Sequence, residues 1–292
     1  MILSRFPKSS LGRLLLFAIG ALVSITLGIL VAAHVPKWFG FSPSMLMAFA
    51  SAVIAFFVFW LSAFLLQREG AAVSVLGLPV DGRRIRELAV GFIITSILFY
   101  AVACCQSVMV GASWRFQGWS GVSAAGIALG LTACMVLAEE LVFRGVGFRY
   151  LCAAVGDWPA IVLSALVFGG YHLIGSQNWG MGLAFQFIGP AVGGLLFGWA
   201  AVRTGGLALS IGLHWGGNWV QIGIAGFSPL EDLTAPQALW KIPITAADFR
   251  LLTAPDLFPR LPYFAAVAGG AVLTWIFLQA RTEPHHDVLR KD

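Results

Sequence analysis

The chain has 292 residues, of which 59% are hydrophobic and only 11% charged, and its mean hydropathy is +0.87. A water-soluble domain carries about a quarter charged residues, so there is too little polar surface here to coat a globule in water. Soluble enzymes and soluble binding modules are excluded. The net charge of +5 is spread over loops between apolar runs and marks membrane topology rather than a nucleic-acid partner.

A helix that crosses a bilayer needs about 20 apolar residues. In chain order the apolar runs are residues 14–33, 46–66, 88–110, 122–148, 159–174, 185–202, 207–225 and 263–279. They predict an all-α fold, a polytopic membrane helical bundle of about eight transmembrane helices. We expect a single integral-membrane domain over residues 1–292, ending in a short cytoplasmic tail at 281–292. The first run follows Arg5, Lys8 and Arg13 as a signal peptide would. It exceeds the apolar core of about 7–15 residues found in such peptides, and reads as a retained helix. The fifth and eighth runs are short for a full crossing. With a cytoplasmic N-terminus and eight crossings, thirteen of the eighteen Lys and Arg residues fall on the inner side. That asymmetry follows the positive-inside rule, puts both termini in the cytoplasm, and fits a bacterial inner (plasma) membrane. The stretch 226–262 mixes Pro, acidic and aromatic residues and is expected along the outer interface. Cys104, Cys105, Cys134 and Cys152 lack metal-site spacing and read as small buried hydrophobes.

Charged side chains at a helix centre cost about 2.5–3.5 kcal/mol each on insertion scales. Glu139 and Glu140 are the only carboxylates within the eight runs, and His172 and His214 the only histidines. Glu140 and Arg144 are four apart, on one helix face and within ion-pair reach. Glu139, turned about 100° from Glu140, is expected to point elsewhere. Phe168 and His172 are four apart, as are His214 and Asn218. Counted at about 1.5 Å per residue from the inner boundary, Glu139 lies roughly 15 Å deep, His172 20 Å, His214 12 Å and Asn218 18 Å. Residues from three separate helices thus fall in one slab near mid-membrane, as the parts of a single site would.

A carboxylate, two imidazoles and an amide suffice to hydrolyse a peptide bond. Glu139 suits a general base acting on water, with His172 holding that water or relaying its proton. His214 and Asn218 suit hydrogen-bond donors to the oxyanion of a tetrahedral intermediate. Alternatively, Glu139, His172 and His214 would hold a divalent metal such as zinc, whose bound water becomes the nucleophile. The spacing leaves both schemes open. The competing readings are a buried Glu140–Arg144 pair that only locks helices, a satisfied core histidine at His172, and a packing hydrogen bond at His214 and Asn218. At the level of function, the rivals are a proton-coupled membrane transporter and a catalytically silent peptide-binding immunity or chaperone protein. No HExxH is present and no Asp lies in an apolar run, which removes the usual helix-borne zinc pair and an aspartyl mechanism. Ser120 reads as an N-cap rather than a nucleophile.

"EELVFR" at 139–144, "FGGYH" at 168–172 and "HWGGN" at 214–218 fit the motifs EExxxR, FxxxH and HxxxN in order. Over residues 122–224, the motif-bearing core, the chain resembles the CPBP family of intramembrane proteases, which includes CAAX-processing, abortive-infection and bacteriocin-processing members. The resemblance implies an intramembrane endopeptidase in which Glu139 and His172 activate water while His214 and Asn218 stabilise the oxyanion. Glu140, Arg144 and Phe168 are the supporting motif residues. It also implies a membrane-associated substrate, such as a prenylated CAAX protein or a peptide precursor. The family is labelled metalloprotease, and a metal-free glutamate and water scheme is equally compatible with these residues.

Overall fold

The computed structural model describes residues 9–34, 43–109, 111–174, 181–226, 238–241 and 261–280. Its helices are α1 (Ser10–His34), α2 (Pro43–Arg68), α3 (Gly82–Met109), α4 (Gly118–Phe143), α5 (Val146–Val155), α6 (Asp157–Tyr171), α7 (Met181–Thr204), α8 (Ala208–Trp219) and α9 (Leu261–Gln279). The protein is an all-α polytopic bundle. Six helical stretches among the described residues are long and apolar enough to cross a bilayer: α1, α2, α3, α4 through α5, α7 and α9. Large apolar side chains such as Leu22, Phe56, Ile97, Trp119, Val167 and Trp275 point outward, as they do where the surrounding solvent is lipid rather than water.

Two expected runs change shape, at 122–148 and 207–225, and the fifth, at 159–174, is as short as expected. The run at 122–148 is two helices, because α4 stops at Phe143 and Gly145 caps the start of α5. The stop is satisfied locally. Arg144 N donates to Glu140 O at 2.8 Å, and Ser164 Oγ donates to the freed Phe143 carbonyl at 2.9 Å. The run at 159–174 gives α6, which ends one residue before His172, and at 15 residues it is short of a full crossing. The run at 207–225 gives the 12-residue α8 followed by a π turn, Val220–Ile224. The eighth run, by contrast, makes the full-length α9.

Glycines let α3 and α8 approach each other closely. A Cβ built on Gly91 would lie 2.7 Å from Leu209 O and 2.8 Å from Leu213 N, and Gly212 and Gly216 meet the α3 backbone in the same way. Small residues are the general device by which membrane helices bring their backbones together. Because the neighbours here are backbone atoms, they cannot swing aside. Gly91→Ala is expected to cost about 1–3 kcal/mol, read as a lower thermal midpoint in detergent; an unchanged midpoint would show that the two helices are free to separate.

Both ends of the bundle are pinned. At one end, Glu87 is fully buried and takes Arg84 Nη1 at 2.8 Å, while Arg84 also donates to Thr204 O at 3.1 Å at the end of α7. Leu207 N and Ala208 N donate to Leu76 O and Gly77 O, fixing where α8 begins. At the other end, β1 (Arg115–Phe116) pairs antiparallel with β2 (Trp240–Lys241). Leu239 bridges from Gly223 O in the π turn to Gln117 N at the start of α4. Trp114, Phe116 and Trp240 pack ring against ring there, in keeping with an interfacial aromatic belt. The rest of the 226–262 stretch and the tail at 281–292 lie outside the described residues. Ser120 is not the N-cap of α4. Gln117 holds that position, and Ser120 Oγ donates back to Gln117 O at 2.7 Å.

Candidate active site

Glu140 is the anchor of the site. It sits on α4, is completely buried, and has both carboxylate oxygens occupied. Oε1 takes Nδ1 of His214 at 2.8 Å and Nη1 of Arg144 at 3.4 Å; Oε2 takes the hydroxyl of Ser210 at 2.5 Å. An ion pair one helical turn apart, supplemented by two further donors, is what makes a buried carboxylate tolerable in a bilayer. Arg144 also donates through Nη2 to Gly194 O at 3.2 Å on α7. Gly194 is the residue that allows this, since a Cβ there would lie 2.8 Å from the guanidinium. The guanidinium carbon lies 4.3 Å over the Phe168 ring and 5.5 Å from that of Phe197, so aromatic faces replace water around a positive charge.

Glu139 was expected to face away from Glu140. The two carboxylates instead bracket one imidazole: His214 Nε2 is 3.5 Å from Glu139 Oε2, while its Nδ1 is bonded to Glu140. A ring with a nitrogen on each side reaches both helix faces at once. Glu139 Oε2 is buried and makes no hydrogen bond among the described residues. A carboxylate oxygen in that condition is a reactive group or an orphan. The Glu139 side chain is 16% exposed, opening on a small cleft of about 30 Å³ between α1, α2, α4 and α6, lined also by Ile25, Ser51, Ile54, Val142, Phe143 and Tyr171.

His172 lies just past the end of α6. Its Nδ1 is 2.9 Å from Phe168 O, which leaves Nε2 as the nitrogen free to act, and its ring stands edge-on to Phe168 with centroids 4.7 Å apart. Tyr171, its neighbour in the chain, lines the cleft on which Glu139 opens. Phe168 is thus shared. It touches both imidazoles and carries the Arg144 cation. Asn218, one turn beyond His214 and half-buried, makes no side-chain hydrogen bond among the described residues. It adjoins the π turn, a local widening that recurs at functional sites.

Three contributors carry no sequence motif. Ser210 is one turn before His214 and on the same face, a spacing too common in helices to single it out. Phe197 stacks on His214 with centroids 4.6 Å apart and an interplanar angle of 16°; a phenylalanine in an apolar run gives no warning. Gln186 donates to His172 O at 2.8 Å and holds the end of α6.

Both histidines have Nδ1 tied to an acceptor, an orientation that metal ligands share. Yet among the described residues no three His, Cys, Asp or Glu side chains gather closely enough to hold a metal ion. Glu139, His172 and His214 as placed do not make a ligand set.

Fold and site together define a polytopic membrane protein with a carboxylate–imidazole–guanidinium cluster buried in its bundle. Residues 121–220, about a third of the chain and including all three motifs, match the family described as Rce1-like, type II CAAX prenyl endopeptidase Rce1-like. That domain is consistent with the CPBP family, and with the apolar helices it identifies an integral membrane protein. The match supports a hydrolase of the intramembrane endopeptidase kind. No curated protein matches the chain, and no solved structure does.

Proposed function

We propose that the protein is an endopeptidase that cleaves a membrane-associated substrate, of the prenylated CAAX or peptide-precursor type, inside the bilayer of a bacterial inner membrane with both termini cytoplasmic. The observation that carries this reading is the placement of Glu139: a buried carboxylate oxygen with no hydrogen bond, 3.5 Å from an imidazole nitrogen and open to a cleft between helices. Glu139, assisted by His172, takes a proton from a water molecule, and the resulting hydroxide oxygen bonds to the scissile carbonyl carbon. The carbonyl electron pair moves to oxygen, where N–H groups of His214 Nε2 and the Asn218 amide stabilise it. Collapse breaks the carbon–nitrogen bond, and the proton held by Glu139 passes to the leaving amine. For His214 Nε2 to donate while Nδ1 donates to Glu140, the ring carries both protons in that state. The negative charge of Glu140 compensates it. On this reading an apolar substrate chain approaches Glu139 from the side, along the cleft walled by α1, α2, α4 and α6.

The test is a farnesylated peptide with a CAAX-type end, incubated with the protein in nanodiscs in ¹⁸O-labelled water. Release of the C-terminal fragment, with label in the new carboxylate, is the expected result. An intact peptide together with substrate-driven proton uptake in liposomes would identify a transporter instead.

A further inference from the structure

Buried hydroxyls in these helices generally bond back to their own chain. Ser24, Ser62, Thr95, Thr132 and Thr204 each donate to the carbonyl four residues earlier, at 2.7 to 3.0 Å. That is the default for Ser and Thr in apolar helices. Ser210 departs from it. Fully buried on α8, it turns its hydroxyl across to α4 and donates to Glu140 Oε2 at 2.5 Å. Among the described residues no other donor takes that oxygen, because His214 and Arg144 both bond to Oε1.

The consequence lies at the far side of His214. A carboxylate held at only one oxygen can rotate about its last torsion, and the imidazole bonded to it can follow or exchange its tautomer. Held at both oxygens, Glu140 presents Oε1 in one direction and accepts the Nδ1 proton of His214, so that Nε2 is the nitrogen turned to Glu139 at 3.5 Å. We propose that Ser210 is a positioning residue of the active site: it locks Glu140, and through Glu140 it sets the tautomer and orientation of His214. Ser210 touches neither water nor substrate. Its effect is transmitted through two hydrogen bonds, in the way that partners behind a metal-bound or catalytic histidine fix its ring.

The functional weight of the proposal rests on the proteolytic reading, whereas its structural part does not, and the experiment separates the two. In protein labelled with ¹⁵N-histidine, His214 is assigned by comparison with His214→Asn. The wild type is expected to show a single His214 form with Nδ1 protonated, and Ser210→Ala to show exchange between forms or loss of that pattern. A wild-type His214 protonated only at Nε2, or a His214 pattern unchanged in Ser210→Ala, overturns the proposal. In the cleavage assay, Ser210→Ala is expected to lower kcat about 10–100-fold with KM unchanged. A loss confined to thermal stability, with kcat retained, shows a packing role only and equally overturns it. If the wild type cleaves nothing, proteolysis is refuted while the nitrogen spectra still decide the role of Ser210.

Discussion

Glu139→Gln is expected to lower cleavage by about 10²–10⁴-fold, the range general-base catalysis contributes, while leaving the fold intact. The amide matches the carboxylate in shape but takes no proton from water. Structurally the change is mild, because Oε2 makes no hydrogen bond in the wild type and replacing an uncompensated buried carboxylate by a neutral group relieves a desolvation cost. The thermal midpoint in detergent is therefore expected to stay level or rise as activity falls. That opposition of signs separates a catalytic group from a structural one. A variant that cleaves at the wild-type rate would remove Glu139 from the reaction.

Arg144→Ala is expected to act in the other direction, through stability. It leaves Glu140 buried with two donors and no cation, and removes the guanidinium that fills the space between Phe168 and Phe197 and reaches Gly194 O. Breaking a buried ion pair from one side costs about 3–5 kcal/mol, enough to unfold a marginal bundle. Arg144→Lys retains the charge but not the planar fork that serves Glu140 and Gly194 together. It is expected to recover only part of the loss. Unfolding midpoints in detergent measure both, and an Arg144→Ala protein as stable as wild type would mean that the pair contributes nothing to the fold.

The contrast between these residues also explains what the sequence disclosed. Glu139, Glu140, Arg144, His172 and His214 were legible because each is expensive in lipid, and their spacing by fours placed the partners Glu140 and Arg144 correctly. The sense in which Glu139 "points elsewhere" was not legible. Rotation about one helix says nothing of a ring on another that is wide enough to meet both carboxylates. The break after Phe143 was hidden because the apolar run resumes at Val146, beyond Arg144 and Gly145, and the carbonyl freed at the break is taken by a hydroxyl from α6. Glu87 escaped notice by standing one residue outside an apolar run, although it is as buried as Glu140. Ser210 and Phe197 are ordinary residues of membrane helices, and only their tertiary neighbours give them roles. The helical bundle followed from composition alone and the shortness of α6 from the length of its apolar run, whereas the shortness of α8 depends on a π turn after Trp219 that hydropathy does not register.

The central claim is that Glu139 and His172 work on one and the same buried water. A double-mutant cycle measures this directly: single-turnover cleavage in nanodiscs by wild type, Glu139→Gln, His172→Ala and the double variant. Groups that act as a unit are strongly non-additive, so the double variant is expected to be no slower than the slower single variant. Losses that multiply across the two positions would contradict the claim, because each residue would then be acting on its own.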